Sequence, residues 1–255
     1  MLSSAASMRA SLFAGEAQTL DLASRCWMLR GKLRAPLRPS DSDREQLWAA
    51  QPKERESFMM YGRRIAMPRY VTLFSQQPLS VSVAGNDIPA TVLGAGTPSY
   101  LQRLLESIAG GHNSIVTNWY PSGDDYIGWH GDREKQIDAD APIISVSLGP
   151  GSRRFQVRDE SSNRIVFNEV LEDGDCIVMG GPGFQQKFKH RVPKMIAKKD
   201  GLVQKRMNLT VRKYDAGIAK KARANVRSEM AATCGVRSPA SRQGKGKAKG
   251  YPHDS

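Results

Sequence analysis

The alternation of apolar and polar positions changes character along this chain. Before residue 40 it shows little period and closes in the turn-prone run RAPLRPSDSD, so residues 1–40 read as a loosely attached, partly disordered N-terminal extension. A short helix is expected over SDREQLWAA, ending before Pro52. A stronger one follows in GTPSYLQRLLESIAGG. There Tyr100, Leu101, Leu104, Leu105 and Ile108 recur at helical spacing, Thr97 is placed to cap, Pro98 suits the first helical position, and Gly110 and Gly111 end the helix. From Asn113 onward the period shortens to two. SIVTNWY, APIISVSLG, RRFQVRD, RIVFNEV, DCIVMGG, KFKHRVP and KRMNLTVRKY are short strand candidates separated by Gly, Pro, Asp and Asn turns. Such a series predicts a mainly β protein with flanking helices: a sandwich, barrel or jelly roll.

Composition narrows the function classes. With 255 residues and 40% hydrophobic content, the chain can bury one large core. No run approaches the roughly 20 consecutive apolar residues of a membrane-spanning helix, so no membrane span is expected. Against 25 acidic residues stand 38 Lys and Arg, a formal charge of +13, which favours polyanionic partners, although solubility alone would also explain it. Much of this charge lies in residues 215–255, a Lys-, Arg-, Ala-, Gly- and Ser-rich run with few large apolar residues to offset its ordering entropy. It reads as a basic disordered tail, able to add non-specific nucleic-acid affinity, to act as a nuclear import signal, or merely to solvate the chain. Cys26, Cys176 and Cys234 are too few and too scattered for a disulfide framework, so a reducing compartment is expected. The first fifteen residues faintly resemble a transit peptide, but Glu16 and Asp21 interrupt the pattern, leaving nucleus or cytoplasm as the expected location.

The chemistry-bearing residues cluster in the β region. His130 and Asp132 in YIGWHGDRE are two residues apart, a spacing that on a strand points both to one face. His190, in FKHRVP, can supply a third ligand. Two imidazoles and a carboxylate on one face bind Fe(II) and leave the opposite face open. H-x-D alone is a weak signal, because such tripeptides arise by chance and strand histidines are usually structural. The strand KRMNLTVRKY adds weight: Arg206, Asn208, Thr210 and Arg212 share one face, Met207, Leu209 and Val211 the other. Two arginines on an interior face are costly without a partner, and a dicarboxylate would satisfy them through bidentate bonds; an exposed edge strand is the alternative. In SIVTNWY, Asn118 and Tyr120 share a face opposite Trp119 and offer further donors.

At this point the chain resembles the AlkB family of Fe(II)- and 2-oxoglutarate-dependent dioxygenases over roughly residues 58 to 214. The resemblance is an ordered set: MPRY at 67–70, NWYPSGDDYIGWHGDRE at 118–134, PIISVSLG at 142–149, EDGDCIVMGG, H-x-V-P at His190 to Pro193, and RMNLTVR at 206–212. It implies a double-stranded β-helix (jelly-roll, cupin-like) core over 113–214, preceded over 41–112 by a substrate lid and a buttressing helix. It further implies that His130, Asp132 and His190 hold Fe(II), that Arg206 clamps the distal carboxylate of 2-oxoglutarate, and that Asn118, Tyr120 and Arg212 complete that site with support from Asn208 and Thr210. The implied reaction consumes O2 and 2-oxoglutarate, hydroxylates an alkyl carbon beside nitrogen, and releases formaldehyde, succinate and CO2. The implied partner is alkylated DNA or RNA, with no membrane, and a monomer is expected.

On the substrate side, the resemblance places Arg63, Arg64, Arg69 and Tyr70 in the lid, sets Glu134 where relatives read a base edge, and leaves Arg153, Arg154 and Arg158 to extend a cationic surface. Each has a plainer reading as a solvated side chain. One departure concerns the stacking aromatic, which the comparable stretch LSVSVAG replaces with Val81 or Val83; Tyr70, Phe74, Tyr61 or Trp129 could stand in. Arg133 stands where some relatives carry an acid. Three functions follow: oxidative dealkylation of nucleic acid, the same oxygenase chemistry on a protein or small molecule, and a nucleic-acid-binding module with a decayed site.

Overall fold

The computed structural model describes residues 5–60, 62–83, 86–195 and 204–215. In chain order, α1 (Ala5–Leu12), β1 (Gln18–Asp21), β2 (Trp27–Lys32) and α2 (Asp41–Ala49) lead into β3 (Ser57–Met60), β4 (Arg63–Ala66) and β5 (Tyr70–Ser75). Next come β6 (Ser80–Val83), β7 (Asn86–Pro89), β8 (Thr91–Val92), α3 (Ser99–Ser107), β9 (Ser114–Tyr120), β10 (Ile127–His130), β11 (Ile143–Leu148) and β12 (Arg153–Asp159). The chain continues through β13 (Ile165–Leu171), β14 (Asp175–Gly180), α4 (Phe184–Lys187), β15 (Phe188–Val192) and β16 (Arg206–Arg212).

The last eight strands pair as nested antiparallel couples: β9 with β16, β10 with β15, β11 with β14, and β12 with β13. A long hairpin folded over itself gives this nesting, and it splits the strands between two sheets, the jelly-roll arrangement. The larger sheet has the order β1-β2-β14-β11-β16-β9-β5-β8 and the smaller β10-β15-β12-β13. Between them pack Tyr120, Ile143, Ile177 and Met179 from one side and Phe155, Val157, Phe167 and Phe188 from the other. The second face of the larger sheet is covered by helices, with Leu47 of α2 and Tyr100, Leu101, Leu104 and Leu105 of α3 against Trp119, Met207, Leu209 and Val211. Each fully buried leucine contributes about 1.5–3 kcal/mol.

Two helices follow the sequence reading with one change in detail. α2 is closed by a reciprocal capping box, Ser40 Oγ accepting from Asp43 N while the Asp43 carboxylate accepts from Ser40 N. Thr97 does not cap α3; its hydroxyl is turned back to Gly94 N and O, and Pro98 occupies the cap position without a side-chain bond.

The N-terminal reading needs a larger correction. Residues 5–40 are an integral part of the fold: β2 pairs with β14 along its whole length, β1 adds to β2, and Met8, Leu12, Leu29 and Leu33 are wholly buried. Their periodicity is hard to see because β2 draws its stability from a partner far along the chain. The basic run expected beyond Asp215 lies outside the described residues. Among the described residues no helix is long and apolar enough to cross a membrane.

Candidate active site

Four strands, β9, β10, β15 and β16, bring the polar residues together inside the jelly roll. β10 and β15 place His130 directly opposite His190, with ring centroids 4.2 Å apart. β10 ends at His130, so Asp132 stands in the loop beyond Gly131 and not on the strand face that the H-x-D spacing predicted. The loop nevertheless returns the carboxylate to the imidazoles: one ligand atom from each of His130, Asp132 and His190 lies within 4.8 Å of the others. The chain passes this point only because residue 131 is glycine, since a Cβ there would sit 2.3 Å from Gln185 O.

Electrostatics prepare the trio for a cation. Burial, and then the mutual proximity of the rings, lowers the His190 pKa to about 3, and burial lowers that of His130, so both imidazoles are neutral with a lone pair available. His130 Nδ1 lies 2.9 Å from Gly128 O, which fixes that nitrogen as the N–H donor and leaves Nε2 to face Asp132 at 3.7 Å. Burial alone would raise the Asp132 pKa, but the Arg212 guanidinium above all outweighs it and holds the carboxyl below its ordinary range. Asp132 Oδ2 and His190 Nδ1 are buried without a hydrogen-bond partner. A divalent cation is the partner that the donor set N, N, O accommodates.

β16 supplies the second half of the site. Its register against β9 sets Arg206 opposite Tyr120 and Asn208 opposite Asn118, so the alternation read in both sequences meets on one face. Arg206 is 1% exposed, its Nη2 donates to Ser147 Oγ at 2.8 Å, and its Nε and Nη1 have no acceptor. Burial lowers its pKa to about 10, yet it stays charged near neutrality. A buried guanidinium short of two acceptors costs several kcal/mol, which a ligand carboxylate would offset. Asn208 is satisfied by the protein, donating to Ser145 Oγ and Val146 O and accepting from Thr210, so this pair braces the strand.

The remaining residues divide. Arg212 lies against Asp132 and Glu134, 2.7 Å from each, and its third bond is to the Tyr214 hydroxyl at 3.0 Å. Glu134 is largely buried, with Oε2 unpartnered. Arg69 donates to Asn118 Oδ1, inside the site, and burial lowers its pKa. Arg63 and Arg64 are exposed on the β3–β4 hairpin. Val81 packs into a small core with Leu73, Leu79 and Val116, and therefore offers no free surface to a base; the Val83 side chain and Tyr61 lie outside the described residues. Tyr70 pairs with Trp119, and its ring packs with Phe74 into the helix-covered core, away from Asn118. Trp129 follows the pleat to the face opposite His130, under Arg158 and Arg191. Arg153 is buried, bonded to the carbonyls of Ser122, Asp125 and Pro193, and extends no cationic surface.

Sequence reasoning missed Ser145, Ser147 and Gln185. The alternate serines of ISVSLG were a readable signal, since small hydroxyls at period two mark a polar face. Gln185 carried none: α4 sets its Oε1 to accept from Asp132 N at 3.1 Å, its backbone O accepts from Arg133 Nε, and its Nε2 is buried without a partner.

A jelly roll holding two neutral imidazoles, a carboxylate and an unsatisfied guanidinium could hold one metal ion with an acidic ligand beside it. Sequence comparison agrees: a family model described as the 2OG-Fe(II) oxygenase superfamily matches residues 82–212, and the chain belongs to that superfamily. Its metal and cosubstrates are accordingly Fe(II), 2-oxoglutarate and O2. The mouse alpha-ketoglutarate-dependent dioxygenase alkB homolog 3 is 30% identical over 118 residues, covering 43% of this chain and 39% of that protein. DNA oxidative demethylase ALKBH2 of Arabidopsis thaliana is 27% identical over 190 residues, covering 63% and 58%. The RNA replication protein of Grapevine virus A is 42% identical over 66 residues, covering 26% of this chain and 4% of the viral one. The AlkB resemblance of the motifs is thus supported, while the match spans less than two thirds of each of these relatives.

Proposed function

We propose that this chain is an Fe(II)- and 2-oxoglutarate-dependent dioxygenase that removes N-linked alkyl groups from bases in DNA or RNA. The observation that carries the oxygenase reading is the pairing of the His130–Asp132–His190 trio with the two unmet donors of Arg206. His130, Asp132 and His190 would hold the metal. Arg206, with Tyr120 and Ser147 beside it, would fork onto the distal carboxylate of 2-oxoglutarate, while Arg212 lies against Asp132 and Asn118 accepts from Arg69. When bound, the metal and its cosubstrates would supply the oxidation of the carbon beside nitrogen, and a methyl group so hydroxylated would leave as formaldehyde and restore the base.

The protein's own share is positioning and exclusion of water. Arg212 neutralises Asp132 and steers it, Gln185 pins the loop that carries it, and Phe155 packs 5.7 Å from the His190 ring to keep the rear of the site dry. The nucleic-acid half rests on the names of the relatives and on the +13 charge. Against it, Tyr70 and Trp129 point away from the trio, which favours, as a second reading, the same oxygenase on a protein or small molecule.

The test offers Fe(II)-loaded protein with 2-oxoglutarate and O2 to oligonucleotides bearing 1-methyladenine or 3-methylcytosine, single- and double-stranded, DNA and RNA, read by mass spectrometry. Loss of one methyl mass, dependent on iron and 2-oxoglutarate, is the expected result. Succinate without any altered oligonucleotide would move the proposal to the second reading, and no succinate at all would end both.

A further inference from the structure

The smaller sheet has two faces, and only the inner one serves the metal trio. Val157, His190 and His130 align across β12, β15 and β10 on the inner face, so the pleat sends their neighbours Gln156, Arg158, Arg191 and Trp129 outward, together with Arg154. Arg158 and Arg191 lie 4.6 and 4.4 Å from the centroid of the Trp129 ring. A run of hydrogen bonds crosses the same face: Arg191 Nε to Gln156 Oε1 at 2.7 Å, Gln156 Nε2 to Asn168 Oδ1 at 2.9 Å, and Arg154 Nη1 to Asn168 Oδ1 at 3.1 Å.

The chemistry of these acceptors matters. They are amide oxygens, so the guanidiniums are oriented without being neutralised. Among the described residues Arg154, Arg158 and Arg191 have no carboxylate within ion-pair distance, whereas nearby Arg133 and Lys189 are both paired with Glu160. Arg158 Nε has no hydrogen-bond partner. Three gaps between strands, each about 4.8 Å, make the row from β10 to β13 about 14 Å long and cationic, with planar groups at one end. Planar guanidiniums over an indole suit a ligand that combines anionic oxygens at intervals with flat rings.

We propose that this outer face, centred on Trp129, Arg158 and Arg191 and extended by Arg154, is a docking surface for a single nucleic-acid strand. The arginines would take backbone phosphates, and the strand would pass behind the sheet whose front holds the metal trio. The idea rests on the nucleic-acid reading above for its biological sense, but its test uses unmodified strands and needs no turnover.

The experiment is fluorescence anisotropy of the full chain with an unmodified single-stranded oligonucleotide, longer than a site of ~4–16 nucleotides, across a salt series. The variants are R154Q, which changes an exposed side chain, R158Q/R191Q, and the triple variant that combines them. Removing all three arginines should weaken binding by about tenfold or more and flatten the slope of log K against log salt by about 2, near 0.7 for each phosphate no longer neutralised. R158K/R191K should keep the slope but lose affinity for base-bearing strands relative to an abasic strand, because the charge remains and the plane does not. R154Q alone should take about a third of the slope change, which guards against misfolding of the double variant. Unchanged slope and affinity in all variants would overturn the proposal, as would arginine-dependent binding to phosphatidylserine vesicles with none to oligonucleotides. If strands bind here yet no methylated base is repaired, the surface stands and the dealkylation reading fails.

Discussion

β16 is buried on both faces, and the two faces differ in kind. Met207, Leu209 and Val211 meet helices and strands in an apolar layer that leaves nothing wanting. Arg206, Asn208, Thr210 and Arg212, almost as deeply buried, keep donors on Arg206 and Arg212 without acceptors. One face is finished by the protein and the other keeps capacity for a ligand. Burial is common to both, so burial alone does not mark the site; unmet hydrogen-bonding capacity does.

The strongest way to break this comparison is to remove the charged ligand. Asp132→Ala should abolish turnover and weaken binding of Fe(II) or Co(II), measured anaerobically by calorimetry, by more than about 100-fold, since even outer partners of metal ligands are worth about 10–100-fold. Thermal unfolding of the metal-free variant should be little changed, because Arg212 keeps Glu134. Next come two substitutions, one on each face of β16. Leu209→Ala should cost about 2–5 kcal/mol in denaturant unfolding while the folded fraction keeps its KM for 2-oxoglutarate. Arg206→Lys should do the reverse: unfolding barely moves, and KM for 2-oxoglutarate rises about tenfold or more as the fork is lost. If both variants shifted the same quantity, the division between the faces would not hold.

A smaller effect is expected at Gln185. Gln185→Ala frees the loop carrying Asp132 and should lower metal affinity about tenfold without altering KM for 2-oxoglutarate, because Gln185 contacts the loop and not β16. The smallest is a pH effect in the capping box. Burial tends to raise the Asp43 pKa, but hydrogen bonds from Arg103 and Ser40 outweigh it and the folded value is lowered. The stabilisation is therefore complete above the unfolded value of about 3.9 and is lost as pH falls through the lower folded one. Arg103→Met should flatten the acid limb of the urea midpoint between about pH 5 and about pH 2.

Much of this was legible in the sequence. The period-two runs located the jelly-roll strands, and RMNLTVR disclosed its polar face because β16 keeps strict alternation. His130, Asp132 and His190 were legible as types and spacing, although the strand proved too short to hold Asp132. What stayed hidden depended on distant partners. β2 takes its register from β14, Gln185 reaches Asp132 only through the turn after β14, and Arg153 looks like a surface cation until three backbone carbonyls are folded around it.

The pairing of β2 with β14 also bears on how the chain comes to be folded. Gly31 meets Cys176, so on the ribosome the N-terminal strands emerge long before the edge they complete. At about 5–20 residues per second the delay is roughly 7–30 s. Throughout that interval the edge of β2 opposite β1, which carries the apolar Met28 and Leu29, lacks its β14 partner and is exposed to mispairing. The larger sheet is thus completed by an early strand joining one some 145 residues later, a non-local pairing of the kind that slows folding.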